Sequence, residues 1–159
     1  MTTHSLSATL RPMESFLASH GYQGLFVLSF LASTLLPVGS EWLLVLMLLK
    51  GNNPLATVVV ATVGNYLGGC TTWAVGIWGG PFLIQQVLRI GPATAAAAVR
   101  FYRRYGVWSL LFSWLPVIGD PLCLAGGILK VDFLRFSLLV FTGKLVRYAG
   151  VTWLTLGLS

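Results

Sequence analysis

The sequence predicts an all-α integral membrane protein: an inverted repeat of two units, each a re-entrant helical hairpin followed by a transmembrane helix, with interfacial helices alongside. Three observations lead there. The chain is 56% hydrophobic and 9% charged over 159 residues, with a mean hydropathy of +0.82, whereas a soluble domain carries roughly 25% charged residues. Two apolar runs are broken halfway by one pattern, Pro37-Val38-x-x-Glu41 and Pro116-Val117-x-x-Asp120. These breaks stand 79 positions apart, and the same offset pairs Leu43 with Leu122 and Gly64 with Gly143. An apolar run interrupted by a proline, a turn and a carboxylate is a poor spanning helix. Such backbone is tolerated in lipid only where protein buries it or a wet cavity borders it.

Residues 1–11 are polar, and residues 12–20 place Met13, Phe16 and Leu17 at helical spacing opposite Glu14 and Ser15, which fits either an interfacial helix or a frayed lead-in. No basic n-region, apolar core and cleavage site open the chain, so a cleaved signal peptide is not expected. Residues 24–36 are too few to cross alone, because a span needs about 20 residues. Pro37 disfavours helix at Leu36 and removes a donor, Val38 and Gly39 make the turn, and Ser40 is an N-cap type for a second half-helix ending at Leu49. Glu41 then lies in the first turn, where the helix dipole favours negative charge. The run 24–49 reads as a re-entrant hairpin, with two strongly tilted spans as the alternative.

The stretch Lys50-Gly51-Asn52-Asn53-Pro54 is a turn, and residues 55–78 form an uninterrupted run long enough to span. Gly64 and Gly68 have the small-xxx-small spacing that lets helices approach closely, and Asn65 is the one strongly polar residue there. Between 79 and 105 comes the longest connection. Its second part, 93–105, is an alanine-rich helix ending in Arg100, Arg103 and Arg104 beside Phe101, Tyr102 and Tyr105. Basic and aromatic residues at that spacing suit a membrane surface better than nucleic acid. Residues 106–129 repeat the hairpin logic, with Pro116 as the stop, Gly119 as the turn, and Asp120-Pro121 as N-cap and N1. After an interfacial turn at Lys130-Val131-Asp132, residues 133–158 form a second span. The whole chain, 1–159, is then one membrane domain: repeat 1 over about 24–79, a linker with the basic helix over 80–105, and repeat 2 over about 106–158.

Because a hairpin returns the chain to its own side and a span carries it across, the second unit must be inverted. Broken helices in inverted repeats recur in secondary transporters. Arg11 and Lys50 lie on the side of the termini, while Arg89, Arg100, Arg103, Arg104, Lys130 and Arg135 lie on the other. The positive-inside rule therefore places the 80–105 loop in the cytoplasm and both termini outside. The net charge of +6 finds its counterions in anionic lipid headgroups. Cys70 and Cys123 lie within apolar runs and form no metal spacing, so both read as small buried residues.

Four charges fall within the predicted membrane segments: Glu41, Asp120, Lys144 and Arg147. Each costs roughly 2.5–3.5 kcal/mol at the centre of an isolated helix. Lys144 and Arg147 are three apart and share a helix face, and both acids sit at hairpin tips. Tips and basic face together make one polar pocket with two charges of each sign. Carboxylates there can exchange protons, while Lys and Arg bind an anionic group such as phosphate. Asn65, Tyr66 and Tyr148 are further lining candidates, and Pro37, Ser40, Pro116 and Gly119 shape the tips. The competing reading is that the charges are ion pairs fixing hairpins to helices.

At LLPVGSE (35–41), GNYLGG (64–69), WLPVIGD (114–120) and GKLVRY (143–148) the chain resembles the DedA superfamily, also called SNARE-associated or VTT-domain proteins, and within it the YqaA-type branch. The resemblance covers most of the chain from about 30 to 150. It implies two oppositely oriented re-entrant hairpins with spanning helices, in the bacterial inner membrane. It also implies lipid or lipid-carrier translocation, including undecaprenyl phosphate in some members, and dependence on the proton gradient. The family's membrane-embedded acid maps onto Glu41. Better-known members carry F-x-x-R-x-x-P-x-x-R in the second hairpin, where this chain has Leu110, Ser113 and Gly119 in place of the Phe and the two arginines. Lys144 and Arg147 are then the candidates to supply that positive charge from the last helix.

The expected function is a transporter or translocase for an anionic lipid or polyprenyl-phosphate carrier, proton-coupled, with Glu41 and Asp120 carrying protons and Lys144 and Arg147 holding the headgroup. Its partners are membrane lipids and protons, a homodimer suits so small a bundle, and no nucleic acid, cofactor or metal is expected. The alternative is a structural or assembly protein whose charges only hold it together. An intramembrane enzyme is disfavoured: neither acid follows Gly-x-Gly, no HExxH or Ser/His pairing occurs, and His4 and His20 lie far from the pocket.

Overall fold

In a computed structural model the described residues are 21–34, 40–79, 91–115 and 118–158, and all regular structure among them is helical. Helix α1, Gly21–Ala32, ends in a tightened turn where Ser33 and Thr34 donate their N–H groups to the carbonyls of Phe30 and Leu31. Helix α2, Glu41–Leu49, closes over Gly51, whose φ of +80° lets the Asn52 N–H reach the Met47 carbonyl at 3.1 Å. That left-handed closure satisfies carbonyls left over at the helix end. Helix α3, Pro54–Trp78, starts with proline at its first position and the Asn53 side chain accepting from the Ala56 N–H at 3.1 Å. At 25 residues it is the one helix among the described residues long and apolar enough to cross a membrane.

Helix α4, Pro92–Tyr105, matches the expected alanine-rich helix and stops at Gly106, which has a φ of +67°. The segment that follows, Gly106–Trp114, is a 3-10 helix rather than the half of an α-helix that the hairpin reading expects. The tighter winding rises about 2.0 Å per residue against 1.5 Å, so nine residues reach further before the break. Helix α5 covers Gly119–Ile128 and helix α6 covers Phe133–Leu158. At 26 residues α6 is long enough to span, but Arg135, Lys144 and Arg147 lower its hydropathy, and it falls short of α3 by composition.

Both expected N-caps need correction. Ser40 stands at the N-cap of α2 without a capping bond, because its hydroxyl pairs with the Tyr148 hydroxyl at 2.6 Å. At α5 the N-cap position belongs to Ile118 and the helix begins at Gly119, so Asp120 lies inside the first turn, as Glu41 does in α2. The interfacial segment 12–20, the turn residues Pro37, Val38 and Gly39, residues 80–90, and Pro116 with Val117 lie outside the described residues.

Glycines let backbones meet. A Cβ on Gly64 or Gly68 would stand 2.6 or 2.5 Å from the carbonyl oxygens of Phe26 and Phe30, so the small-residue face of α3 rests directly on α1. A Cβ on Gly143 of α6 would stand 2.6 Å from the Leu111 carbonyl oxygen in the 3-10 helix. Each long helix is thus laid against the arm that precedes it in its own half. The halves then cross: α5 packs on α3, α2 packs on α6, and α3 packs on α6. One apolar core joins Leu25, Leu44, Met47, Ala61 and Tyr148, and a second joins Leu110, Leu122, Phe136 and Val140.

Candidate functional site: two ion pairs on one helix

The four charges come together in pairs on α6, one turn apart, rather than in a single mixed pocket. The Lys144 ammonium lies 3.6 Å from Asp120 Oδ1. It donates to Ser33 Oγ at 2.9 Å and to Asn65 Oδ1, and Ser33 Oγ in turn donates to Asp120 Oδ1 at 2.6 Å. The Asn65 amide donates its other end to the Ser29 carbonyl at 3.1 Å, and Thr72 Oγ1 donates to the Ser33 carbonyl at 3.1 Å. This knot joins α1, α3, α5 and α6, and Lys144 within it is only 2% exposed. The ammonium therefore has two hydrogen-bond acceptors and a carboxylate beside it, so its donors are taken up within the knot.

The second pair is Arg147 with Glu41. Next to it, the Ser40–Tyr148 bond ties the start of α2 to the same stretch of α6. Glu41 and Arg147 border a cavity of about 570 Å³ whose other walls among the described residues are Trp114, Val146, Gly150, Val151 and Leu154. Their side chains keep 25% and 15% of their surface exposed. The depression is open on one side, and its walls are apolar apart from these two charges.

Of the residues singled out from sequence, Ser40, Glu41, Asn65, Asp120, Lys144, Arg147 and Tyr148 all meet at α6. Gly119 is buried at the start of α5, packed on the Ser113 backbone. Tyr66 instead donates to Ser137 Oγ at 2.8 Å. Pro37 and Pro116 lie outside the described residues. Sequence reasoning missed Ser33, an unremarkable hydroxyl in an apolar run, although Ser29 and Ser33 at i and i+4 share a helix face. It also missed the apolar walls Trp114, Val146, Gly150, Val151 and Leu154, which no local pattern separates from lipid-facing residues. Among the described residues, no three His, Cys, Asp or Glu side chains stand together to hold a metal.

Helical structure throughout the described residues, in a strongly apolar chain with charge pairs between its helices, defines an integral membrane protein. The chain is 40% identical over 128 residues to the inner membrane protein YqaA of Escherichia coli, covering 80% of this chain and 85% of that protein. The YqaA of Shigella flexneri matches to the same extent. An uncharacterized protein of Haemophilus influenzae is 37% identical over 139 residues, covering 82% of this chain and 85% of its own length. The chain belongs to the YqaA family. No family model matches it, and no solved structure does.

Proposed function

We propose that this protein is a DedA-like transporter or lipid translocase of the bacterial inner membrane, moving an anionic lipid or polyprenyl-phosphate carrier with coupling to protons. The observation that carries the reading is the Glu41–Arg147 pair facing an apolar-walled cavity of about 570 Å³. An arginine at such a wall suits a phosphate or carboxylate, because its planar fork matches both. Glu41 and Asp120 are the proton-exchanging groups, and Arg147 is the headgroup cation. Lys144, with three partners and 2% exposure, is the weaker candidate for direct contact.

The inverted-repeat architecture belongs to the same proposal. Residues related by a pseudo-two-fold axis touch one another only on that axis, and Asn65 and Lys144, which touch, are 79 apart. That is the offset between Pro37 and Pro116. The crossed packing of α5 on α3 and α2 on α6 is what exchange of the two halves would produce. Re-entrant hairpins, a cytoplasmic 80–105 loop and outward termini complete the arrangement.

The test is translocation of lipid phosphates in reconstituted liposomes, with and without a pH gradient, comparing wild type with Glu41→Gln, Asp120→Asn and Arg147→Ala. Loss of transport in folded variants supports the reading. A wild type that moves no phospholipid or polyprenyl phosphate, with variants that simply unfold, favours the second reading: an assembly protein held by ion pairs. The closed Lys144 knot is the observation on that side.

A further inference from the structure

The two pairs differ in one respect that separates their roles. Lys144 is sealed by Asp120, Ser33 and Asn65, whereas Arg147 borders the cavity and has Glu41 as its ion-pair partner among the described residues. A guanidinium binds a carboxylate and a phosphate through the same paired donors. The Glu41 carboxylate therefore occupies the position that an incoming anion would need. We infer that Glu41 is an internal competitor for the ligand. The cavity takes an amphiphile with one anionic group, which displaces Glu41 from Arg147 while its apolar tail lies along α6 over Gly150, Val151 and Leu154.

The inference rests on the transport reading and specifies how the site is occupied. Among the described residues one guanidinium faces the cavity, so one anionic group is matched; a second contact from Lys144 would require opening the knot. The Ser40–Tyr148 bond at 2.6 Å keeps the start of α2 on α6, so release of Arg147 needs only the Glu41 side chain to turn. Glu41 is 25% exposed and has the open side of the cavity to turn into. The tail path is also open: a Cβ on Gly150 meets nothing within 4 Å, and a larger side chain there would enter the cavity.

Binding is measured on the purified full chain in a non-ionic detergent, with dodecyl phosphate, inorganic phosphate and dodecyltrimethylammonium as probes. Wild type binds dodecyl phosphate and neither of the others. Glu41→Gln binds dodecyl phosphate about ten-fold or more tightly than wild type, as expected when a competitor that holds the site closed at least nine-tenths of the time is neutralised. Gly150→Leu, which leaves both charges in place, keeps the wild-type melting temperature and loses binding. Unchanged or weaker binding by folded Glu41→Gln overturns the competitor role, and undiminished binding by Gly150→Leu overturns the tail path. Inorganic phosphate binding as tightly as dodecyl phosphate overturns the amphiphile and leaves a free-anion site. If lipid phosphates still cross liposomes while any of these results holds, only the occupancy inference falls. If no form binds dodecyl phosphate and nothing crosses, the transport reading falls with it.

Discussion

Lys144 is the residue whose environment decides most about stability. Its ammonium is out of water, and removing one partner of a buried pair leaves an uncompensated charge, which costs far more than replacing both. Asp120→Asn should lower stability by about 2–3 kcal/mol, while adding Lys144→Met to it should recover most of that loss. Thermal denaturation in micelles followed by tryptophan fluorescence checks the order of the two. If the double variant is no more stable than Asp120→Asn alone, the knot is held by something other than charge pairing. The Ser40–Tyr148 bond is a smaller term. Tyr148→Phe strands a buried Ser40 hydroxyl and should cost about 1–2 kcal/mol, with Ser40→Ala adding little on top of it. The residue types of this site were legible in sequence, since charges in apolar runs announce themselves. Their pairing was not: nothing in local spacing says that Lys144 meets Asp120 and Arg147 meets Glu41.

At the level of elements, glycines separate into those that carry a contact and those that do not. Gly68→Val places a side chain against the Phe30 carbonyl, 2.5 Å from its Cβ, and against the Ser33 Cβ at 2.8 Å. Helix α1 must then move, and stability should fall by about 2–3 kcal/mol. Because Ser33 belongs to the knot, the Lys144 contacts loosen as well. Gly150→Ala meets nothing and should be neutral or stabilising by up to ~1 kcal/mol through helix propensity. Parallel melting curves of the two variants make the comparison. A Gly68→Val protein as stable as Gly150→Ala would mean that α1 does not rest on α3. The small-residue spacing on α3 told of close approach but not of the partner, which is α1 from its own half. The 3-10 winding of Gly106–Trp114 was illegible for a related reason. Its sequence is apolar and helical in character, and its backbone packs directly on Gly143 of α6, a contact between segments distant in the chain.

For the whole molecule, the proposed topology makes a labelling prediction. In a background lacking Cys70 and Cys123, which are both free thiols, Asn52→Cys should react with a membrane-impermeant maleimide in intact spheroplasts. Lys130→Cys, at the opposite turn, should react only after the membrane is opened. Labelling of both from one side would exclude the inverted arrangement, since the turns after α2 and α5 must then share a face. The excess of Arg89, Arg100, Arg103, Arg104, Lys130 and Arg135 over Arg11 and Lys50 supports the assignment through the positive-inside rule, which acts on loops irrespective of how the interior packs.

Membrane class, the two broken runs, the helix over 93–105 and the identity of the interior charges follow from the sequence alone, because hydropathy, proline sterics and the cost of burying charge act locally. Tertiary structure alone decided that the Ser40 hydroxyl serves Tyr148 rather than a cap, that Ser33 completes the Lys144 knot, and that Arg147 rather than Lys144 borders the cavity. Each of those outcomes depends on residues far apart in the chain competing for one partner. A donor takes the acceptor that packing brings nearest, and no spacing rule along the chain encodes that distance.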